Sequence, residues 1–352
     1  MEKVLLYGMD LNQIQNVLSD YPAYRAKQLY DYLYHHRSSH VTSFSDCSVL
    51  PTTLRQELDE KYFLSSLNML DQIEDTGGSK KFSFKLIDEN VIESVAICSK
   101  DKRVTACISS QVGCKMGCAF CQTATLGFKR NLSSGEILEQ ISIIESQVGL
   151  LDNIVFMGMG EPLDNLDSLL QAIFILTDPA GFNFGQRRIT ISTSGIVSQI
   201  ERLSNLKKQI RLAVSLNSSL QEKRIRIMPV AKANPLDKLH AALKAYQAST
   251  NFKRITLEYV ALDEFNLSKE DIDGLVEFCK GLNVLINVIP FNPGGGLPFK
   301  RPSDKKVMSF VAKLKDRGLN VTVRNSKGQE ILGACGQLAA KNVGAQGEAY
   351  FD

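Results

Sequence analysis

No apolar run in the sequence approaches the length of a membrane span, which argues against a helical transmembrane protein. The first ten residues carry an acid at position 2 and an apolar stretch too short for a signal-peptide core, so export is not expected. Short internal repeats and low-complexity tracts are missing apart from the Pro293-Gly294-Gly295-Gly296 turn. A net charge of +3 is too small to argue by itself for a polyanionic partner. The histidines number only four, His35, His36, His40 and His240, and none has ligand spacing, so surface roles are expected. A second pair of cysteines of the kind that builds zinc fingers is also lacking.

What the chain does hold is an ordinary globular balance, 44% hydrophobic and 22% charged over 352 residues, enough for a well-buried α/β core. Residues 11–64 show apolar positions at helical spacing, in Ile14, Val17 and Leu18, then Leu29, Tyr30 and Leu33, then Leu54 and Leu58. Residues 1–65 therefore read as a helical N-terminal domain. Its Tyr24, Arg25, Lys27, His35, His36 and Arg37 could face a phosphate backbone or form a solvated helical face. Residues 66–97 alternate around Gly77-Gly78 and read as a small antiparallel sheet or linker.

From residue 98 to about 330, strand-like runs alternate with helical ones. The strands are Arg103–Ser109, Asn153–Met157, Arg188–Ser192, Ile210–Leu216, Ile255–Ala261 and Val284–Pro290, with an edge-like run at Asn320–Arg324. Ser133-Ser134-Gly135-Glu136 has the form of a capping box at a helix start. Repeated strand–helix units imply a parallel sheet, and six of them are fewer than a closed eight-stranded barrel needs, so an open six-unit partial β/α barrel is expected. Residues 331–352 follow as a C-terminal segment.

Eight cysteines, three of them crowded between positions 114 and 121, fit a reducing cytosol in which thiols bind metal or do chemistry. Cys114-Lys115-Met116-Gly117-Cys118-Ala119-Phe120-Cys121 lies after the first barrel strand, on the rim where α/β sheets place ligands. Three thiolates hold three irons of a cubane and leave the fourth open to a cofactor or substrate, whereas a structural cluster normally takes four. Gly113 and Gly117 give the loop freedom to wrap, and Met116 and Phe120 can shield it from water. The competing reading is a structural zinc site completed by Cys107 or a histidine.

Met157-Gly158-Met159-Gly160-Glu161-Pro162 follows the second strand, Ser192-Thr193-Ser194-Gly195 the third and Ser215-Leu216-Asn217 the fourth. Serine or asparagine at a strand end often only caps the next helix. Recurrence at successive strand ends points instead to a pocket lined by hydroxyls and amides.

The cysteine spacing at this place in a strand–helix repeat resembles the radical S-adenosylmethionine (SAM) superfamily. That resemblance implies a 4Fe–4S cluster on Cys114, Cys118 and Cys121, with SAM chelating the open iron. Further blocks narrow it: Thr105 to Gly113 around Cys107, Thr123 to Leu132, Phe156 to Pro162, and Gly333-Ala334-Cys335-Gly336-Gln337-Leu338. In this order they resemble the RlmN/Cfr family of RNA adenine methyltransferases over nearly the whole chain. Pro162, Ser194 and Gly127-Phe128-Lys129-Arg130 favour its carbon-2 branch over carbon-8 modification of the Cfr type.

The resemblance implies a SAM set of Gly160, Glu161, Ser192, Ser215, Leu216, Asn217 and Asn292. It implies that Cys335 takes a methyl group from one SAM, that a second SAM yields the radical that activates it, and that Cys107 releases the product as a Cys107–Cys335 disulfide forms. Glu93 matches the carboxylate that removes the carbon-2 proton. From the residues alone, Cys107 could be a buried small hydrophobe and Glu93 a surface partner for a lysine. Cys335, in a Gly-Ala-Cys-Gly stretch, reads as a mobile and accessible thiol, while Cys47, Cys98 and Cys279 read as structural. Asn217 stands where the family usually has histidine, and Met228-Pro229-Val230-Ala231 and Ala261 to Asn266 also depart from its pattern. The implied partners are 23S rRNA and tRNA, with a flavodoxin or ferredoxin as electron donor. RNA would meet local basic residues, namely Lys115, Lys129, Arg130, Arg187, Arg188, Lys207 and Lys208. A cytoplasmic monomer is expected. Two rivals remain: a radical SAM enzyme with another substrate, and a non-catalytic RNA-binding protein with a structural metal.

Overall fold

The β-branched runs in the second two-thirds of the chain form seven parallel strands, Val104–Cys107, Asn153–Phe156, Ile189–Thr193, Arg211–Ser215, Ile255–Ala261, Val284–Pro290 and Val321–Val323. Each pairs with the next in chain order. The computed structural model describes residues 3–35, 40–206, 208–249, 254–294, 296–324 and 326–339. His36, Arg37, Lys207, Gly295 and residues 340–352 of the expected C-terminal segment lie outside them.

Every crossover between these strands carries a helix, among them Ser134–Val148, Leu166–Thr177, Leu236–Ser249 and Asp304–Asp316. Ser134–Val148 is closed by the expected capping box: the Ser133 hydroxyl accepts from the Glu136 amide at 3.1 Å, and Glu136 accepts from the Ser133 amide at 2.8 Å. The edge-like run of the sequence is the seventh parallel strand, so six strand–helix units end on a short edge strand.

The antiparallel strands Leu67–Glu74, Lys80–Leu86 and Val91–Cys98 extend this sheet. Val95 opposes Cys107 and Ala96 opposes Ala106, giving ten strands in one sheet. The helices Leu11–Val17, Tyr24–Tyr34 and Thr52–Lys61 occupy the N-terminal region, where Val4–Leu5 pairs in parallel with Tyr62–Phe63. Their apolar faces belong to the same core as the barrel. Tyr34 stacks between Tyr7 and Phe182, with ring centroids 5.2 and 5.9 Å away, and the Tyr30 hydroxyl donates to Asp178 at 2.8 Å.

Glu139, wholly buried on the helix Ser134–Val148, fastens the N-terminal region to the barrel. Its carboxylate accepts from the Ser66 amide at 2.8 Å, the Ser66 hydroxyl at 2.6 Å, the Leu67 amide at 3.2 Å and the Ser65 hydroxyl. His40 Nε2 lies 3.4 Å from it, so this histidine is not the surface residue the sequence led us to expect.

Candidate functional site

The cysteine loop is framed by a two-stranded ribbon, Gln111–Gly113 against Phe128–Asn131. Gly113, at φ 73°, packs its Cα so close to the Gly127 carbonyl that any side chain would collide with it, and the Cys114 amide donates to that carbonyl at 2.9 Å. On its far side the loop is anchored by the Ala119 amide, which donates to the Ile227 carbonyl at 2.9 Å. Cys114, Cys118 and Cys121 all line one cavity, shielded by Met116 and Phe120. Burial pushes all three thiols up, Cys114 to about 12, and the charges of neighbouring thiols add to the effect. Iron must therefore displace their protons on binding.

The same cavity is lined by Gly160, Glu161, Ser192, Ser215, Asn217 and Asn292. Gly160, at φ 98°, lies against Gln111, where a Cβ would come within 2.5 Å. Glu161 is buried, and burial raises its pKa against the hydrogen bonds it accepts from the Ser194 amide at 2.7 Å and the Leu163 amide at 3.1 Å. Leu216 is the exception: it is buried in the core and is not among the residues that line this cavity. Asn217 adopts a left-handed φ of 57° and accepts from the Val260 amide at 2.9 Å, while its own amide reaches the Met228 sulfur at 3.3 Å.

Asn292 binds the C-terminal segment, donating to the Ser326 hydroxyl at 2.9 Å and to the Cys335 carbonyl at 3.2 Å. That segment is pinned as well by the Gln122 amide on the Gly336 carbonyl at 2.8 Å and by the Thr123 hydroxyl on the Leu338 carbonyl at 2.8 Å. Cys335 is thus held, half-buried, rather than carried on a loose tail, because main-chain groups on either side of it are satisfied.

Cys335 lines the first cavity and also an adjoining one that contains Cys107. Burial pushes the Cys107 thiol up to about 12, the charge of Cys335 adds, and Arg324 opposes the shift. Arg324 lines both cavities; Cys335 above all holds it in its charged form, with Glu258 and Cys107 contributing. Cys107 comes from the first parallel strand and Arg324 follows the last, so the sheet curls until its two parallel ends share a cavity.

Glu93 lines neither cavity. It is buried, paired with the equally buried Lys81 at 3.2 Å, and accepts from the Ala339 amide at 2.9 Å. Its lysine partner is real, but it lies in the interior and not at the surface. Of the basic residues expected to meet RNA, Arg130 is committed to Asp88 and Glu136, Lys115 to Asp164 and Arg187 to Gln209, while Lys129 and Arg188 are exposed.

Three thiols on one loop suit a cubane, which takes one thiolate per iron. Among the described residues no three His, Cys, Asp or Glu side chains are grouped to hold a single ion, an arrangement a cubane does not require. Unpartnered buried polar atoms at the Ser194 hydroxyl and Glu258 Oε2 face the same cavity, as a charged, hydrogen-bonding cofactor would need.

Residues 108–279 match the radical SAM superfamily. A probable dual-specificity RNA methyltransferase RlmN from Syntrophomonas wolfei is 41% identical over 96% of this chain and 98% of its own length. The dual-specificity RNA methyltransferase RlmN of a Sulfurovum species is 40% identical over 92% and 93%. The chain belongs to the RlmN family. The crystal structure of a radical SAM methyltransferase from Sphaerobacter thermophilus, 37% identical, superposes with a TM-score of 0.91 over 96% of this chain and all of that one. Membership of the RlmN family makes the chain a SAM-dependent RNA methyltransferase of radical SAM type, and implies a 4Fe–4S cluster and SAM.

Sequence reasoning missed three charged residues in or beside these cavities. Arg324 directly follows the edge strand, and a basic residue at a strand end on the ligand rim was the available signal. Glu258 sits within the fifth strand among apolar neighbours. Arg224 is wholly buried, and burial pulls its pKa down to about 10 against the charge of Cys118. Leu220, Arg224 and Ile227 share a helical face, so a charged residue on an apolar stripe was visible in the spacing.

Proposed function

We propose that this protein methylates carbon 2 of an adenosine in 23S rRNA and in tRNA, as a cytoplasmic monomer that consumes two SAM molecules per turnover and draws electrons from a flavodoxin or ferredoxin. In this reading Cys114, Cys118 and Cys121 hold the cluster, and Gly160, Glu161, Ser192, Ser215, Asn217 and Asn292 hold SAM. Bound there, the two cofactors supply a methyl group and a hydrogen-abstracting carbon radical.

The observation that carries the proposal is the pair of thiols, Cys107 and Cys335, in one cavity with Arg324 between the sheet ends. Carbon 2 of adenine is not a nucleophile, so the methyl group must pass through a carrier. Cys335, next to both cavities, is that carrier. Cys107 attacks the sulfur of the Cys335–RNA crosslink, releases the base and is left in a disulfide with Cys335, which a cellular dithiol reduces. Arg324 offsets the build-up of thiolate charge between the two. Glu93 accepts the carbon-2 proton once the Ala339 amide has given up its carboxylate. The adenine must leave its stack to reach the thiols, at a cost of roughly a few kcal/mol.

In the test, Cys335→Ala abolishes methylation while the cluster absorbance stays, and Cys107→Ala accumulates RNA covalently bound to the protein. Normal turnover by both variants overturns the mechanism. Mass spectrometry of the product RNA distinguishes 2-methyladenosine from the 8-methyl isomer, and the latter would move the chain to the Cfr type of activity.

A further inference from the structure

Arg224 carries its charge into the interior without a carboxylate to meet it. Nε donates to the Leu216 carbonyl at 3.1 Å, Nη2 to the Ser194 carbonyl at 2.6 Å and the Ser215 carbonyl at 3.4 Å, and Nη1 has no partner among the described residues. All of these acceptors are uncharged. Among the described residues, the charge that acts on the guanidinium against its burial is the thiol of Cys118. Burying a cation beside neutral dipoles alone is among the costlier arrangements a fold can keep, and removing its anion leaves it uncompensated. The helix Gln221–Ile227 brings it there, and the Ile227 carbonyl at the end of that helix holds the Ala119 amide of the cysteine loop. Gly195 leaves room for it, since a Cβ at that position would lie 3.1 Å from Nη2.

We propose that Arg224 is a positioning residue whose guanidinium is the buried counter-charge to the thiolate-ligated cluster, favouring the cluster's reduced form. The inference rests on the cluster reading above. In the step concerned, a low-potential donor of the flavoprotein or iron–sulfur class loses one electron and the cluster gains it. No bond is made or broken, and the negative charge beside Arg224 rises by one. Net charge near a cluster is one of the determinants of its potential, and a fixed cation favours the state with more negative charge. Arg224 thereby makes the electron transfer less uphill, and its carbonyl bonds keep the ends of the third and fourth strands in register with the cluster.

The experiment is an anaerobic redox titration, followed by electron paramagnetic resonance, of the full chain reconstituted with iron and sulfide, in wild type, Arg224→Lys and Arg224→Gln. Lysine keeps the charge and loses most of the carbonyl bonds; glutamine keeps a donor and loses the charge. The midpoint shifts to more negative potential in Arg224→Gln and stays near wild type in Arg224→Lys. An unchanged midpoint in Arg224→Gln, or an equal shift in both variants, overturns the proposal. If Arg224→Gln retains no cluster while Arg224→Lys does, the requirement for charge stands; if neither retains one, the role is one of shape and the proposal falls. Wild type that takes up no iron–sulfur cluster removes the cluster reading itself, a result distinct from any of these.

Discussion

Lys81 and Glu93 neutralise each other inside the antiparallel extension, both nearly inaccessible to solvent. Lys81→Met removes the cation paired with the buried Glu93 carboxylate, and we expect a loss of about 3–5 kcal/mol in urea unfolding. Buried thiols make a second prediction. Cys107 and Cys279 are pushed up to about 12 and Cys47 to about 11, in each case chiefly by burial. Above the ordinary thiol range the unfolded chain has released these protons while the folded chain still holds them, so stability falls as pH rises from about 9 towards 12. Denaturation of the metal-free protein at pH 8 and pH 10 checks this, and a flat profile would show that these thiols are not shielded. At this scale the cavity-lining places of Gly160 and Glu161, which follow the second strand, and of Ser192 and Ser215, at the ends of the third and fourth, were legible from their position on the rim. Glu258 was hidden because charge inside a core is legible only once its neighbours are known, whereas Arg224 and Arg324 left a signal in the spacing whose meaning depended on those neighbours.

Among elements, the helix Ser134–Val148 ties the N-terminal region to the barrel through Ser134 and Glu139. Ser133→Ala removes one half of its capping box and should cost about 1 kcal/mol. Glu139→Ala deserts the amides of Ser66 and Leu67 and should cost about 2–3 kcal/mol, measured by chemical denaturation. Strand and helix identities in the barrel were readable because alternating β-branched runs and helical spacing repeat with little interruption. The long strands Ile255–Ala261 and Val284–Pro290 matched to the residue, the run read as Arg188–Ser192 lay one position early, and the other short strands were over-extended by one or two positions at their ends. The Gly-Ala-Cys-Gly stretch around Cys335 was read as mobile, yet its described residues are held on both sides of the thiol. Its small residues give flexibility in isolation, but the bonds that hold it come from Gln122, Thr123 and Asn292, remote in sequence and invisible to local pattern.

For the molecule as a whole, repetition of strand and helix disclosed the parallel sheet and its open form. That the antiparallel strands would join its edge through Val95 and Cys107 could not be read, because pairing between non-consecutive segments leaves no periodic trace. The short parallel pairing of Val4–Leu5 with Tyr62–Phe63 escaped for the same reason. Curling brings the first and last parallel strands together over Cys107 and Arg324, so stability of the edge strand should govern the thiol cavity. Thr322→Pro removes an amide that the ladder uses, since the bonds from the Ile286 amide to the Asn320 carbonyl and from the Arg324 amide to the Val288 carbonyl turn the even-numbered amides of this strand towards its neighbour, and it is expected to lower Cys335 methylation while iron content persists, read by intact-protein mass and iron analysis.

The residues immediately after the last cluster cysteine, Gln122 and Thr123, are also the ones that grip the chain beside Cys335. A displacement of the cysteine loop is therefore passed directly to the chain beside Cys335, so in the proposed reaction the seat of the metal group and the seat of the carrier thiol would move as one piece.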